Sequence, residues 1–311
     1  MTFVLQRLLM LVPVAVGITI IVFFMIHLIP GDPARTILGI HATPRTIAIL
    51  HQQWGLNRPL ISQYGLFMDR LAHGNLGQSL FYGTPAAGVI MARLPATLWL
   101  IIYAALLAML ISVPLAMIAA SRKDAIRDQV VRAVPLLGLG MPPFWLGILL
   151  IYAFAIKIRL FPVSGYGSGA AGHLHAMFLP ALTVAIALAP VVIRSLRASM
   201  LNVLGAEYIT TARSKGVPAR RLFLRHVLRN AVIPAITVLG INIGFLVGGT
   251  VIIENVFAIP GIGQLMLNSI FERDFPVVQG ITLVFGILVV LVNLMADLAY
   301  ASLDPRVRFD R

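Results

Sequence analysis

The residues best placed to do chemistry in this 311-residue chain are cations, gathered in one polar stretch, 207–234, between two long apolar runs. The stretch holds Arg213, Lys215, Arg220, Arg221, Arg225 and Arg229 against a single acid, Glu207. Guanidinium and ammonium groups at this density bind carboxylates or phosphates, but they supply neither a nucleophile nor a proton relay. Gly216 is suited to end one short helix, and Pro218 to stand in the first turn of the next. In that second helix Arg221, Arg225 and Arg229 fall four residues apart on one face, with Leu222, Phe223 and Val227 on another. The pattern predicts an amphipathic helical hairpin, its apolar side resting against a membrane and its cations offered to a docking partner.

Catalytic arrangements are missing elsewhere. The chain contains no G-x-x-x-x-G-K-[ST] phosphate loop, no H-E-x-x-H helix and no G-x-S-x-G elbow. With no cysteine, thiolate nucleophiles, disulfides and Cys-based zinc sites are excluded. His173 and His175 form an H-x-H in a glycine-rich segment, which reads as two solvated polar residues, because a metal site needs more fixed ligands. No span pairs two acids, or an acid with a histidine, deep in its apolar core, as a proton-coupled carrier requires. The expectation is a chain that is not an enzyme, with no catalytic residue and no metal.

Composition then says what must position the cationic stretch. Hydrophobic residues make up 59% and charged residues 11%, where soluble domains carry about a quarter charged. A bilayer core needs about 20 apolar residues per helix, and the runs 8–29, 95–120, 133–156, 176–193, 231–253 and 277–301 meet that length. The net charge of +13 would suggest nucleic acid in a soluble protein, but its distribution argues otherwise. Segments 1–7, 121–132, 194–230 and 302–311 hold 16 of the 24 Lys and Arg. Segments 30–94, 157–175 and 254–276 hold the other 8 over a longer stretch of chain. The positive-inside rule therefore puts both termini in the cytoplasm. The first run is longer than a signal-peptide core, and Pro-Gly-Asp-Pro follows it, so a retained helix is expected.

Within this frame, 47–54 and 63–71 pattern as short helices in the large outer segment, and 73–79 as a glycine-punctuated loop. Pro142 and Pro143 remove two backbone donors from the third run and must distort it, as a pathway-side hinge or as a static kink. Gly240, Gly244 and Gly248 recur every fourth residue and predict a helix-packing face, within the chain or against a second subunit. Asn242 lies about 200° around the helix from that face and is a candidate for lining a polar path. Glu254 and Asn255 stand near the outer end of the fifth run as candidate pathway or gating residues. Asn293 and Asp297 share a face of the sixth run near its inner end, where an acid reads as a structural anchor.

The cationic stretch resembles the membrane-spanning subunit of binding-protein-dependent ABC importers, specifically the dipeptide/oligopeptide/nickel permease family. The family pattern Tyr-x-x-Thr-Ala-x-x-Lys-Gly is met by Tyr208, Thr211, Ala212, Lys215 and Gly216. The shorter importer signature, Glu-Ala-Ala with Gly six residues after the Glu, is met only at Ala212 and Gly216, with Thr210 and Thr211 standing in the other places. The outer strings at 28–34, 54–64, 73–79 and 93–98, and the segment 253–263, also look like this family.

The resemblance implies an all-α, six-helix type I importer permease of the bacterial inner membrane, with no cofactor on this chain. Segment 1–94 would be an N-terminal helix plus a large periplasmic region, 95–301 a five-helix transmembrane domain with the cytoplasmic coupling loop 194–230, and 302–311 a cytoplasmic tail. ATP and magnesium would be bound by one or two cytoplasmic ABC ATPase subunits gripping Glu207, Tyr208, Thr211, Ala212, Arg213, Lys215 and Gly216. A second homologous permease would complete the pathway within membrane lipid, a periplasmic solute-binding protein would deliver cargo, and nucleic acid would play no part. Peptides, di- or oligopeptide or glutathione-like, are the expected cargo. The alternatives are a nickel or metal-chelate importer on the same scaffold, or an ion-coupled secondary carrier, which would need deep charges and inverted repeats.

Overall fold

A computed structural model describes residues 2–27, 32–39 and 42–303 of the chain. The start of the expected outer string at 28–34, and nearly all of the tail 302–311, lie outside those residues. The described chain is helical throughout, in keeping with a hydrophobic content that leaves its backbone amides no partner but one another. Two compact units are distinguished, Met1–Thr97 with Pro260–Val290, and Leu98–Ile259 with Leu291–Arg311.

The first unit begins with α1 (Thr2–His27) and three shorter helices, α2 (Pro33–Leu38), α3 (Pro44–Trp54) and α4 (Leu60–Ala72). Asp32 caps α2, its side chain accepting from Ala34 N, and Thr43 and Thr46 form a capping box on α3. Polar bonds fasten α4 to α1: Tyr64 Oη lies 2.8 Å from Thr19 Oγ1, and His27 Nε2 lies 2.9 Å from Gln63 Oε1. Gln63 is buried and donates its amide protons to the Leu56 and Arg58 carbonyls, so it stitches α1 to the turn before α4.

The same unit contains the start of α5 (Ala86–Ser121), all of α13 (Ile262–Phe271) and the start of α14 (Phe275–Leu303). Ala86, Ile90, Ile262, Leu265, Val277 and Ile281 form its apolar core. Asp274, fully buried, accepts from Ser79 Oγ and from the backbone amides of Leu80 and Phe81, which ties the turn before α5 to the start of α14. Thr97 Oγ1 accepts from Ile262 N at 2.9 Å, supplying a partner to an amide that starts a helix.

The second unit is organised on α9 (Phe178–Leu204), about half of whose residues are buried. It packs against α12 (Leu228–Val256), α6 (Ile126–Gly140) and α7 (Pro143–Leu150). A short helix, α8 (Gly169–Ala176), precedes α9. On α12, a side chain at Gly240 would collide with Ala296 Cβ of α14, so these helices touch backbone to backbone there. Gly248 and Gly249 face open space.

Among the described residues four helical stretches are long and apolar enough to cross a membrane: Ala86–Ser121, Phe178–Leu204, Ala219–Gly244 and Phe275–Ala299. Shorter apolar helices cover Val12–Met25 and Pro143–Lys157. The third run is therefore interrupted. Met141 is extended at ψ 128°, Pro142 at ψ 132°, and α7 restarts at Pro143. Two adjacent residues without amide protons cannot continue the ladder of α6. After α7 the chain continues as a π-helix over Ile151–Lys157.

The 36 residues of α5 make it about 54 Å long at about 1.5 Å per residue, well beyond the roughly 30 Å of a hydrocarbon core. Its start at Ala86 precedes the expected 95 because Arg93 interrupts the apolar pattern without breaking the helix.

Two outcomes test this description. Gly240→Val forces the α12–α14 contact apart and is expected to lower stability by about 1–3 kcal/mol. Gly248→Ala, in open space, leaves the thermal midpoint of the detergent-solubilised chain unchanged or slightly raised.

The second concerns His51 Nε2 and Asp32 Oδ1, which lie 2.9 Å apart. The bond from His51 holds the Asp32 carboxyl below its ordinary value of 3.8, and the bond to Asp32 raises His51 above its ordinary 6.5. The raised histidine contributes in full below 6.5 and loses that contribution as pH rises through its folded value. The depressed carboxyl contributes in full above 3.8 and loses it as pH falls through its folded value. Amide exchange over α2 and α3 is therefore expected to be slowest between those two pH values, and a flat profile would remove the pair from the account.

Candidate functional site

The cationic stretch folds as a hairpin. Its first arm, α10 (Glu207–Ser214), carries Glu207 in the first turn and Arg213 in the last, each at the end where the helix dipole favours its charge. Gly216 adopts φ +76°, donating to Arg213 O at 2.9 Å, while Val217 N donates to Ala212 O at 3.2 Å. These two bonds are the Schellman arrangement, and they satisfy carbonyls that a helix end leaves open. Pro218 stands just before the second arm and does not enter its first turn.

That second arm differs from a separate short helix. α11 (Ala219–Arg221) passes through a π-helical turn, Leu222–Val227, directly into α12, so the arm and the spanning helix are one rod. Its apolar face also differs from expectation. Leu222, Val227 and Ile209 are buried within the protein, where α9, α10 and α12 all contact the π-helical turn, so the chain itself covers the side expected to lie on the membrane. The physical reason is proximity: α10 folds back across only a few residues and reaches that face before lipid can. Asn230 Nδ2 donates to Tyr208 Oη at 3.1 Å and to His226 O at 2.9 Å, clasping the two arms.

Arg213, Lys215, Arg220, Arg221, Arg225 and Arg229 are all exposed, and so are Glu207, Tyr208, Thr211 and Gly216; Ala212 is half-buried. Thr211 and Ser214 return their hydroxyl protons to the Glu207 and Thr210 carbonyls. The outer surface of the hairpin is thus a dense cationic face on a rigid, internally satisfied frame. Such a face suits a partner rich in carboxylates.

The other sequence-derived residues do not gather at one place. Pro142 and Pro143 are exposed at the α6–α7 break. Asn242 donates to Val238 O of its own helix, and Asn255 to Val251 O. Gly244 is half-buried on α12. Glu254 is fully buried near the C-terminal end of α12, next to a corner where Ala258 takes φ +46° and Ile259 N donates to Glu254 O at 2.8 Å. Beside that corner, Gly147 of α7 approaches the ring of Phe257, which a Cβ would meet at 3.0 Å. His173 and His175 each place a ring nitrogen 2.9 Å from a backbone carbonyl, those of Tyr166 and Leu160. Among the described residues no three metal-ligating side chains cluster.

One feature was not anticipated from the sequence. Asp128, fully buried, receives Arg197 in a bidentate pair, Nε at 2.6 Å and Nη2 at 2.5 Å, and it also accepts from Asp124 N. The pair bolts the start of α6 to the last turns of α9, directly before the hairpin. An acid inside the basic segment 121–132 was the available signal, but nothing in the sequence pairs it with a residue 69 positions away.

Residues 112–309 match the family of binding-protein-dependent transport system inner membrane components, and residues 1–101 match the N-terminal family of such membrane components. The chain belongs to this family: it is a multi-pass inner-membrane permease subunit, not an enzyme, and works in a complex with binding-protein and ATPase partners.

Among its relatives is the glutathione transport system permease protein GsiC of Escherichia coli (strain K12), 37% identical over 309 residues and covering 99% of both chains. The protein of the same name from Salmonella typhi is equally similar, with the same coverage. The fold is that of a solved inward-facing MetNI methionine ABC transporter chain, with a TM-score of 0.58 at 16% identity over 70% of this chain and 96% of that one. An amino acid ABC transporter chain is similar at a TM-score of 0.53 and 16% identity, over 69% and 94%.

The buried pair is tested by removing one partner. Asp128→Asn leaves a desolvated guanidinium and is expected to cost about 3–5 kcal/mol. Asp128→Leu combined with Arg197→Met recovers most of the loss. Thermal melts of both variants in detergent decide it, and an unchanged midpoint for the single variant would contradict the pairing.

Proposed function

We propose that this chain is the permease subunit of an importer for glutathione or a similarly small anionic peptide, and that its cationic hairpin is the seat of the ATPase. Chain-long similarity to glutathione transport system permeases carries the substrate class. The exposed cations on a rigid hairpin support the docking role of Glu207, Tyr208, Thr211, Ala212, Arg213, Lys215 and Gly216.

In this reading both termini and the loop 194–230 are cytoplasmic, as the distribution of Lys and Arg supports. Segment 1–94 is the N-terminal helix and periplasmic region that receives the binding protein, 95–301 is the transmembrane domain, and 302–311 is a tail. A second homologous permease faces the pathway, and Gly244 and Gly248 on α12 are offered to it. Pro142, Pro143, Asn242, Glu254 and Asn255 belong to the moving or pathway-lining parts.

The mechanism follows from helix continuity. ATPase closure displaces the hairpin, whose first arm follows α9 and whose second arm is α12 itself. A rigid rod transmits displacement without loss in a flexible joint, so the α9–α12 pair, the most heavily packed in its unit, moves as a body. Docking needs only an electrostatic and shape match, and the cargo path can stay sparsely polar.

The test is uptake of radiolabelled glutathione by the assembled transporter in proteoliposomes, with ATP hydrolysis followed in parallel. Gly216→Val places a β-branched residue at positive φ in open space, a backbone cost of about 1–3 kcal/mol, and Arg213→Glu reverses a docking charge. Both are expected to insert normally, yet to cut uptake about tenfold or more, the equivalent of roughly 1.4 kcal/mol of lost coupling, while hydrolysis continues. Full uptake in both variants would remove the hairpin from the mechanism, and no glutathione uptake by the parent would remove the substrate assignment.

A further inference from the structure

A cavity of about 330 Å³ opens between α6 and α9, and its lining is mixed. Arg132, Arg194 and Arg197 contribute to its lining together with the apolar Pro135, Pro190 and Ile193. None of the residues lining it is acidic. The nearest carboxylate, Asp128, is buried behind Arg197 and is already engaged by two guanidinium bonds and the Asp124 amide. Arg132 Nε stands 3.7 Å from the same carboxylate with half of its side chain exposed, and Arg194 is exposed. Asp124 also acts on Arg197 from the side of the turn before α6, so three guanidiniums face two carboxylates and the cavity keeps an excess positive charge.

The depth of this site says what fits it. On α9 the apolar run ends at Ile193 and the cations begin at Arg194; on α6 the cations end at Arg132 and the apolar run begins at 133. Both helices thus switch from hydrocarbon-compatible to charged at the mouth of the same cavity. That is the level at which lipid phosphates lie, and basic pockets between spanning helices on the cytoplasmic side are suited to such headgroups. Guanidinium groups grip phosphate oxygens in pairs, while Pro135, Pro190 and Ile193 offer an apolar wall to the glycerol and upper acyl chain. A soluble anion would use the cations and leave that wall without a partner.

We propose that this cavity is a binding site for the phosphate of an anionic phospholipid, held by Arg132 and Arg194, with the Asp128–Arg197 pair fixing the wall behind it. Assigning the lipid to the inner leaflet rests on the orientation proposed above; the preference for an anionic lipid does not. Bound there, the lipid bridges α6 to α9 at the base of the hairpin, so lipid composition would tune the stiffness of the element that ATPase closure loads.

The probe is phosphatidylglycerol, read by native mass spectrometry of the full-length chain released from phosphatidylcholine nanodiscs containing it. The parent is expected to retain phosphatidylglycerol in preference to phosphatidylcholine. Arg132→Gln with Arg194→Gln should weaken that retention about thirtyfold, roughly fivefold per arginine, with at most a small fall in thermal midpoint, because Arg132 meets Asp128 only at 3.7 Å from a half-exposed side chain. Arg194→Gln alone, on an exposed side chain, should show the single fivefold drop and serves if the double variant misfolds.

Lysine at both positions keeps the charge but not the paired grip and should fall between the parent and the glutamine variant, and Arg159→Gln, a cation outside the cavity, should keep all of the retention. Equal retention of the two lipids, an unaffected glutamine variant, or an equal loss in Arg159→Gln would overturn the site. Displacement of the lipid by the same concentration of glycerol phosphate would overturn its lipid character in favour of a free-anion site. Retention is read without ATP or cargo, so its failure and a failure of transport coupling are separate results.

Discussion

Hydrocarbon offers no hydrogen-bond partner to a backbone amide, and the departures from plain α-helix within the apolar runs answer that constraint. At Met141–Pro142 the helix stops outright, and α7 restarts with Trp145 and Leu146 both donating to the Pro142 carbonyl. Over Ile151–Lys157 the ladder widens to the π pattern and is not abandoned. Thr183, Asn242, Thr282 and Asn255 each turn a polar side chain back onto a carbonyl of their own helix. These choices keep polar groups satisfied inside single helices, so that helices can meet through apolar and small residues, as α12 and α14 do at Gly240.

Charge is handled by a different rule. The cations stand outside the six apolar runs, at helix ends and in connecting segments, where water or a partner can hold them. Asp128 with Arg197 is instead buried, with both charges satisfied in one bidentate contact. Such pairs are costly to assemble and more costly to break, so this one reads as a device for position and not for net stability. It sets the foot of α6 against α9 two turns before the hairpin begins. The hairpin then inherits a fixed base on one side and a continuous spanning rod on the other. A lever needs those two properties, and neither depends on the identity of the cargo.

The similarity to the methionine and amino acid transporter chains is confined to architecture at 16% identity, while the glutathione permeases share sequence along the whole chain. The first unit carries α2, α3, α4 and the buried Asp274–Ser79 contact that holds the turn before α5.

The sequence by itself determined the helical membrane class, the cationic hairpin and its Gly216 corner, and the short outer helices: the patterned stretches 47–54 and 63–71 lie inside Pro44–Trp54 and Leu60–Ala72. Those features are local, written in apolar run length, in helix-end chemistry and in the spacing of charges. Only the tertiary structure decided that the apolar face of the hairpin is covered by protein, that its second arm is continuous with α12, and that Glu254 is fully buried. It alone brought Asp128 to Arg197, Asp274 to Ser79, and three arginines around one cavity. Each of these depends on residues far apart in the chain meeting across helix surfaces, and periodicity along one helix carries no information about which neighbour it will face.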